Sequence, residues 1–482
     1  VMGLDAGGKI SGDSAIVIGT NAGRCIAGTD NIAIGCYSGG GASSGQTGTH
    51  NIWMGRYTAT QFAGANSNIA IGCKAGRCIT SGSYNVVMGT CAGHGSAAIT
   101  GGCNTLFGYT AGSSMTSGSD NVFLGTAAGK ATTESGQGVF LGYYAGACNT
   151  TGTANIYVGY SAGKKDTIST YNIAIGSGAM ACCDGASAAM SHSVAIGKDA
   201  LRCGHTGCFN LAFGTFSQGS ACGGRDNVTF GCSAGFNRKG GEGNFIFGRD
   251  AGRGRSGCTF GSGNIFMGRY SAYCIGNSQG NIFLGARTGC KLTDGSSDNI
   301  FIGCFAGCET IVDCAITNTI LMGKYAGSKL GPSQENIFIG CFSGQYHFSG
   351  RYNMGLGHET FRSPGTSVTS NTGRYNVAFG FRSSRCMTSG CDNTTLGRQS
   401  GYCISSADKN VFIGCDAGCT TTTGGCNVAI GPGVTISSAT ASKEFKIGCG
   451  TSYWICGDNS FNIRPGAGIR DTAGNLGSAG QY

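Results

Sequence analysis

Charge is scarce in this chain of 482 residues and proline is almost missing. Charged side chains make up 11% of it, less than half the roughly 25% of an average globular protein. The 4 prolines rule out a collagen helix or a polyproline spacer. No apolar run approaches the roughly 18 residues of a membrane-spanning helix, so this segment inserts no helix into a bilayer. Histidine numbers only 6, at scattered phases, and no G-K-[ST] follows a glycine-rich loop, so neither a histidine metal site nor a phosphate loop is expected. The net charge of +9 is spread thinly, without the basic block of a nucleic-acid surface. These absences leave no cofactor, no nucleic-acid partner and a poor prospect for catalysis.

What the chain has in excess is glycine, 92 residues, and cysteine, 28. The glycines are periodic. Asn31 to Gly39 reads N-I-A-I-G-C-Y-S-G, and the same sentence returns from Asn68, Asn121, Asn299 and Asn410. Its central glycine recurs from Gly3 to Gly448 with a spacing of 17 in 16 of 25 intervals. So short a repeat holds about two strands and two turns and leaves no room for a helix. The fold expected is therefore all-β: a parallel β-solenoid of about 25 rungs with a 17-residue modal repeat, occupying residues 1–448. Residues 449–482 lose the motif and read as a connector, and the opening V-M-G-L-D-A-G, in mid-motif, reads as a piece of a longer polypeptide.

Stacked rungs are compared down columns. Four residues before the central glycine stands Asn in 20 of 25 rungs, among them Asn31, Asn68, Asn121, Asn299 and Asn410, which predicts an amide ladder along the axis. The next position and the one two beyond it, such as Ile32 and Ile34, are apolar and are assigned to the coil interior. The residue between them would then face outward, yet it is Trp53, Phe123, Phe140, Tyr157, Phe266, Phe283, Phe301, Phe338 and Phe412. An outer stripe of rings exceeds what a monomer leaves in water. It predicts in-register self-association as a homotrimer, with those rings as the interface. The variable segment after the corner glycine is assigned to an exposed outer arc.

The cysteines also fall in phases, and so many favour an oxidising final environment. Cys386 and Cys403 occupy one column on adjacent rungs, within disulfide reach. Cys203 with Cys208, Cys386 with Cys391, and Cys419 with Cys426 would instead close short arcs; Cys386 cannot do both, and the connectivity stays open. Acids never recur in one column on successive rungs, so the paired carboxylates of a glycan-cleaving enzyme are not supplied. One basic row, including Arg24, Arg77, Lys130, Lys164, Arg202, Arg253, Arg362 and Arg385, is either a solvated edge or a surface for anionic glycans.

The core N-[IV]-x-[IL]-G-x-x-[AS], most closely H-S-V-A-I-G-K-D-A-L-R from His192 to Arg202, resembles the head repeats of YadA-like trimeric autotransporter adhesins. The variant N-[IV]-F-[IL]-G-x-x-A-G, with the tail S-F-N-I-R-P-G-A-G-I-R-D-T-A-G-N-L-G-S-A-G-Q-Y, looks more like tail fibres and structural proteins of marine bacteriophages. The resemblance implies a homotrimeric fibre shaft in the virion, outside the cell, supporting adhesion to a host surface glycan or protein. A bacterial surface adhesin or extracellular filament is the alternative, and a glycan-cleaving tailspike the weakest reading.

Overall fold

The computed structural model describes residues 1–40, 46–95, 97–182, 190–203, 207–220, 223–254, 259–309, 315–346, 349–363, 372–460 and 462–465. The chain is all-β, a parallel β-solenoid of about 23 turns on the 17-residue repeat, with no helix among the described residues. It forms two compact units, Val1–Glu242 and Gly243–Tyr482. The first carries the three-residue strands β1 (Ile16–Ile18) to β13 (Val228–Phe230); the second carries β14 (Phe245–Phe247) to β24 (Val428–Ile430).

Within each unit every rung lays its strand on the equivalent residues of the next. β7 (Val122–Leu124), for example, pairs in parallel with β8 (Val139–Leu141), placing Val122, Phe123 and Leu124 on Val139, Phe140 and Leu141. The opposite side of the rung contributes isolated bridges, such as Ile79 to Ile99 and Ser297 to Thr317, in place of the second strand that the repeat length led us to expect.

The strand's inside and outside are the reverse of the sequence assignment. Phe123, Phe140, Tyr157, Phe266, Phe283, Phe301, Phe338 and Phe412 are fully buried in the single chain, and Trp53 is 1% exposed. Ile16, Ile18, Val122 and Leu124 are instead exposed, from 38% to 50%. The asparagine column sets this polarity. Its amides are buried in the coil, and strand side chains alternate faces, so the residue two beyond each Asn must also turn inward. The nine rings are therefore core and are not a trimer interface.

The segment after the corner glycine is not simply an exposed arc, because part of it turns inward. Seven residues after the central glycine lies another inward column: Ile26, Phe62, Ile79, Met115, Leu292, Leu330, Met387 and Ile404 are all buried. In several rungs its volume compensates for the strand residue. Ala70 shares its rung with Ile79, and Thr395 with Ile404, whereas Phe123 faces Thr132 and Phe412 faces Thr421. In other rungs two large side chains meet, as Trp53 does with Phe62 and Phe283 with Leu292. The same column buries Asp166 and Arg238, the latter with its guanidinium pushed down to about 10 by burial.

Four after the central glycine, most rungs with a strand ring carry a glycine whose Cβ would strike that ring, as at Gly129, Gly146 and Gly289, whereas Ala59 and Ala272 hold the place beside Trp53 and Phe266. Gly129 has φ 58°, and a Cβ there would sit 2.5 Å from the Phe123 ring. The central glycine is constrained differently. Gly125 has φ 139°, and a Cβ would meet the Gly142 carbonyl oxygen at 2.4 Å.

After β24 the next strand, β25 (Phe445–Cys449), still pairs in parallel. The chain then turns back, and β26 (Ser452–Gly457) and β27 (Ile463–Pro465) add antiparallel. Lys446, the one charged residue in the inward strand column, pairs with Glu444 at 2.9 Å and lies 5.0 Å from the Tyr453 ring centre. The tail residues 466–482 lie outside the described residues.

Candidate functional site

The solenoid offers three features from which a function could be built: the ladder within, the strand face outside, and the basic edge beside it. In the ladder the Asn Oδ1 typically accepts two bonds from the next rung. Asn51 donates its backbone N–H and its Nδ2 to Asn31 Oδ1, both at 3.0 Å, and Asn68 does the same to Asn51 at 2.9 and 3.1 Å. The same pair of bonds ties Asn121 to Asn104, Asn299 to Asn281 and Asn410 to Asn393. Many Nδ2 groups also donate to a backbone carbonyl of the next rung, as Asn121 does to Ser135 at 2.8 Å. Where Asn is replaced the backbone bond survives: the N–H groups of Gly138, Thr319 and Glu444 still donate to the preceding Asn. The ladder is internal and holds nothing but itself.

The outer strand face is apolar along two rows. Phe107 is 47% exposed, Leu124 46% and Leu396 47%, and Met267, Met354 and Leu356 are also exposed. Rings border the rows. Tyr143 stacks on Tyr160 at 5.4 Å, Tyr352 on Tyr375 at 4.9 Å, and His192 is stacked between Tyr171 and Phe209. Sequence reasoning identified an exposed apolar stripe but placed it on the wrong residues; the ladder's polarity was the signal that could have corrected it.

Cysteine pairing differs from the candidates. Among the described residues one disulfide is formed, between Cys290 and Cys308, with Cα atoms 4.9 Å apart on adjacent rungs. It uses the inter-rung geometry proposed for Cys386 and Cys403, but in the column five after the glycine. Cys386, Cys391, Cys403, Cys419 and Cys426 carry thiols. Cys386 and Cys419 have theirs pushed up by burial, and the Cys391 sulfur lies 3.5 Å from its own turn's Ser389 carbonyl. Cys203 and Cys208 flank residues 204–206, which lie outside the described residues.

The basic row is partnered in a pattern that the sequence did not reveal. An acid two after the central glycine meets an arginine three further on: Arg202 with Asp199 at 3.6 Å, Arg253 with Asp250 at 3.1 Å. Asp250 also meets Arg249 at 3.4 Å, and Glu359 gathers three arginines. Its carboxylate takes bonds from Arg362, from Arg382 at 2.7 Å and from Arg385 at 3.2 Å, and Arg385 Nη1 also donates to Tyr402 at 3.0 Å. Burial alone would raise the Glu359 carboxyl, but the guanidiniums outweigh it and hold the group below its ordinary range.

A shallow pocket of about 280 Å³ lies in the second unit, lined by Tyr270, Tyr273, Arg287, Lys291, Glu309 and the Cys290–Cys308 bridge. It contains a single carboxylate. No cluster of three or more metal-ligating side chains occurs among the described residues. Comparison with protein-family models and with curated proteins finds no match, so function rests on the fold and these surfaces.

Proposed function

We propose that this chain is a structural shaft, the repeat region of a bacteriophage tail fibre, in which three copies associate in register and support adhesion to a host surface. The observation that carries the reading is the pair of exposed apolar rows on the outer strand face, continued from rung to rung by parallel pairing. Such a face far exceeds the few hundred Å² that a monomer leaves exposed. A second copy is the occupant that fits, because its rows repeat at the same spacing of about 4.8 Å per rung. Three flat faces close around an axis and leave no row in water, where two leave open edges. The resemblance of the repeat and of the tail to phage fibres supports the viral setting over a bacterial adhesin. A glycan-cleaving role gains no support, because the pocket has one carboxylate where glycoside hydrolysis uses two.

Sedimentation of the purified chain tests this. The expected mass is three times the chain mass of 48.6 kDa. A single-chain mass at micromolar concentration would refute the assembly.

A further inference from the structure

Glu359 is surrounded by more positive charge than a structural ion pair needs. Arg382 and Arg385 both donate through Nε to the one oxygen Oε2, so they stand side by side, while Arg362 takes Oε1. The four side chains come from two adjacent rungs, those of β20 (Met354–Leu356) and β21 (Val377–Phe379), which are paired in parallel. The carboxylate is the floor, 7% exposed, and the guanidiniums are the rim, at 28%, 38% and 22% for Arg362, Arg382 and Arg385.

Three cations on one anion leave two positive charges uncompensated among the described residues. Elsewhere on this edge Asp199 has one arginine neighbour and Asp250 has two. Holding three guanidiniums together against their mutual repulsion is unfavourable unless something negative joins them. The donors are also arranged for it. Arg382 and Arg385 spend Nε on the floor, and each keeps two terminal nitrogens besides. Arg385 turns one toward Tyr402, and those of Arg382 carry no hydrogen bond among the described residues. Guanidinium forks of this kind match the oxygen spacing of a tetrahedral oxoanion. Arg382 is braced in place by the Phe381 ring, whose centre lies 4.8 Å from its guanidinium carbon.

We infer that Arg362, Arg382 and Arg385, seated on Glu359, form a binding site for a sulfate or phosphate group. The surplus of two charges matches a doubly charged oxoanion, and Glu359 competes with it for the same donors. The site needs only one chain, so it stands or falls independently of the mass measurement above.

Calorimetric titration of the full chain tests it, with sodium sulfate and sodium phosphate compared with sodium chloride at matched ionic strength. Saturable binding of sulfate or phosphate over chloride is expected. Arg382→Gln, which leaves Arg362 and Arg385 to hold Glu359, should weaken it about tenfold or more. Arg382→Lys should recover part of the loss, since it keeps the charge without the fork. Glu359→Gln should tighten binding several-fold by removing the competitor; a merely structural ion cluster would show no such gain. Repeating the titration with a sulfated and a phosphorylated monosaccharide locates the source. Tighter binding than the free ions places the group on a carbohydrate, equal binding indicates the free ion, and either supports the site. No preference over chloride, an unchanged affinity in Arg382→Gln, or tighter binding of a single-stranded oligonucleotide than of any of these would overturn it.

Discussion

Asp166 shows how one residue can set a pH dependence for the whole coil. It lies in the inward column seven after the central glycine and is 1% exposed. Tyr157 donates its hydroxyl to this carboxyl, the Ser169 N–H donates at 3.2 Å and Asn172 Nδ2 at 3.3 Å. Those bonds favour the ionised form, but burial outweighs them and raises the carboxyl above its ordinary 3.8. A carboxyl raised by folding binds its proton more tightly in the native state. Its stabilisation is therefore fully present below pH 3.8 and is lost as pH rises through the folded value. Asp166→Asn keeps the shape and removes the titration. We expect the variant to be more stable than the parent at pH 7 and to lose the parent's gain on acidification, as read by urea midpoints from pH 3 to 7. A parent whose stability falls steadily with acid while the variant tracks it would contradict the assignment.

At the scale of the rung, the strand ring and its glycine are one packing unit. Phe140 is stacked between Phe123, centroid distance 4.6 Å, and Tyr157, 5.0 Å, so it fills a slot bounded by two neighbouring rungs. Asn149, seven after the same central glycine, is buried with no hydrogen-bond partner on either amide atom, so the slot has no apolar neighbour on that side to collapse into a void. Phe140→Ala should thus cost about 3–5 kcal/mol, measured by denaturant unfolding of the purified chain. Gly129→Ala should destabilise from the other side of the same contact, because its Cβ would strike the Phe123 ring and its φ of 58° strains an L-residue. Trimming the ring in the double variant Phe123→Leu with Gly129→Ala should recover part of that loss. An undiminished loss in the double variant would show that backbone strain, and not the ring, dominates. This pairing of ring and glycine was visible in the sequence as two separate columns. Their contact was not, because the glycine was read only as a corner.

For the whole molecule, the two faces of the strand make opposite predictions. Phe107 and Leu124 occupy adjacent rungs of the outer row, β6 (Thr105–Phe107) and β7, and the coil does not need them. Phe107→Lys with Leu124→Lys should leave the fold and its circular dichroism intact while lowering the sedimenting mass or fraying the assembly locally. Phe283→Asp with Phe301→Asp should instead unfold the second unit's rungs, since both rings are buried within one chain. If the inner pair dissociated a folded protein and the outer pair did nothing, the strand's polarity would be reversed from the one described here.

The sequence by itself determined the architecture: a recurring N-x-x-x-G at a modal spacing of 17 residues permits rungs and no helices, and its Asn column stacks on itself. Both follow from local geometry, in which a fixed period and the side-chain alternation of a strand suffice. Which way the strand faced could not be read the same way. Rows such as Ile32 with Ile34 and the column of Phe123, Phe140 and Phe301 are equally apolar, so alternation alone is symmetric between inside and outside. Closure of the rung decided it. The buried amides of Asn31 and its successors, together with Ile26, Ile79 and their column, define one interior, and the rings point into it. The same closure brought Glu359 under Arg362, Arg382 and Arg385, residues up to 26 apart in the chain. No spacing rule within a single rung could have placed them together, because that site exists only between rungs.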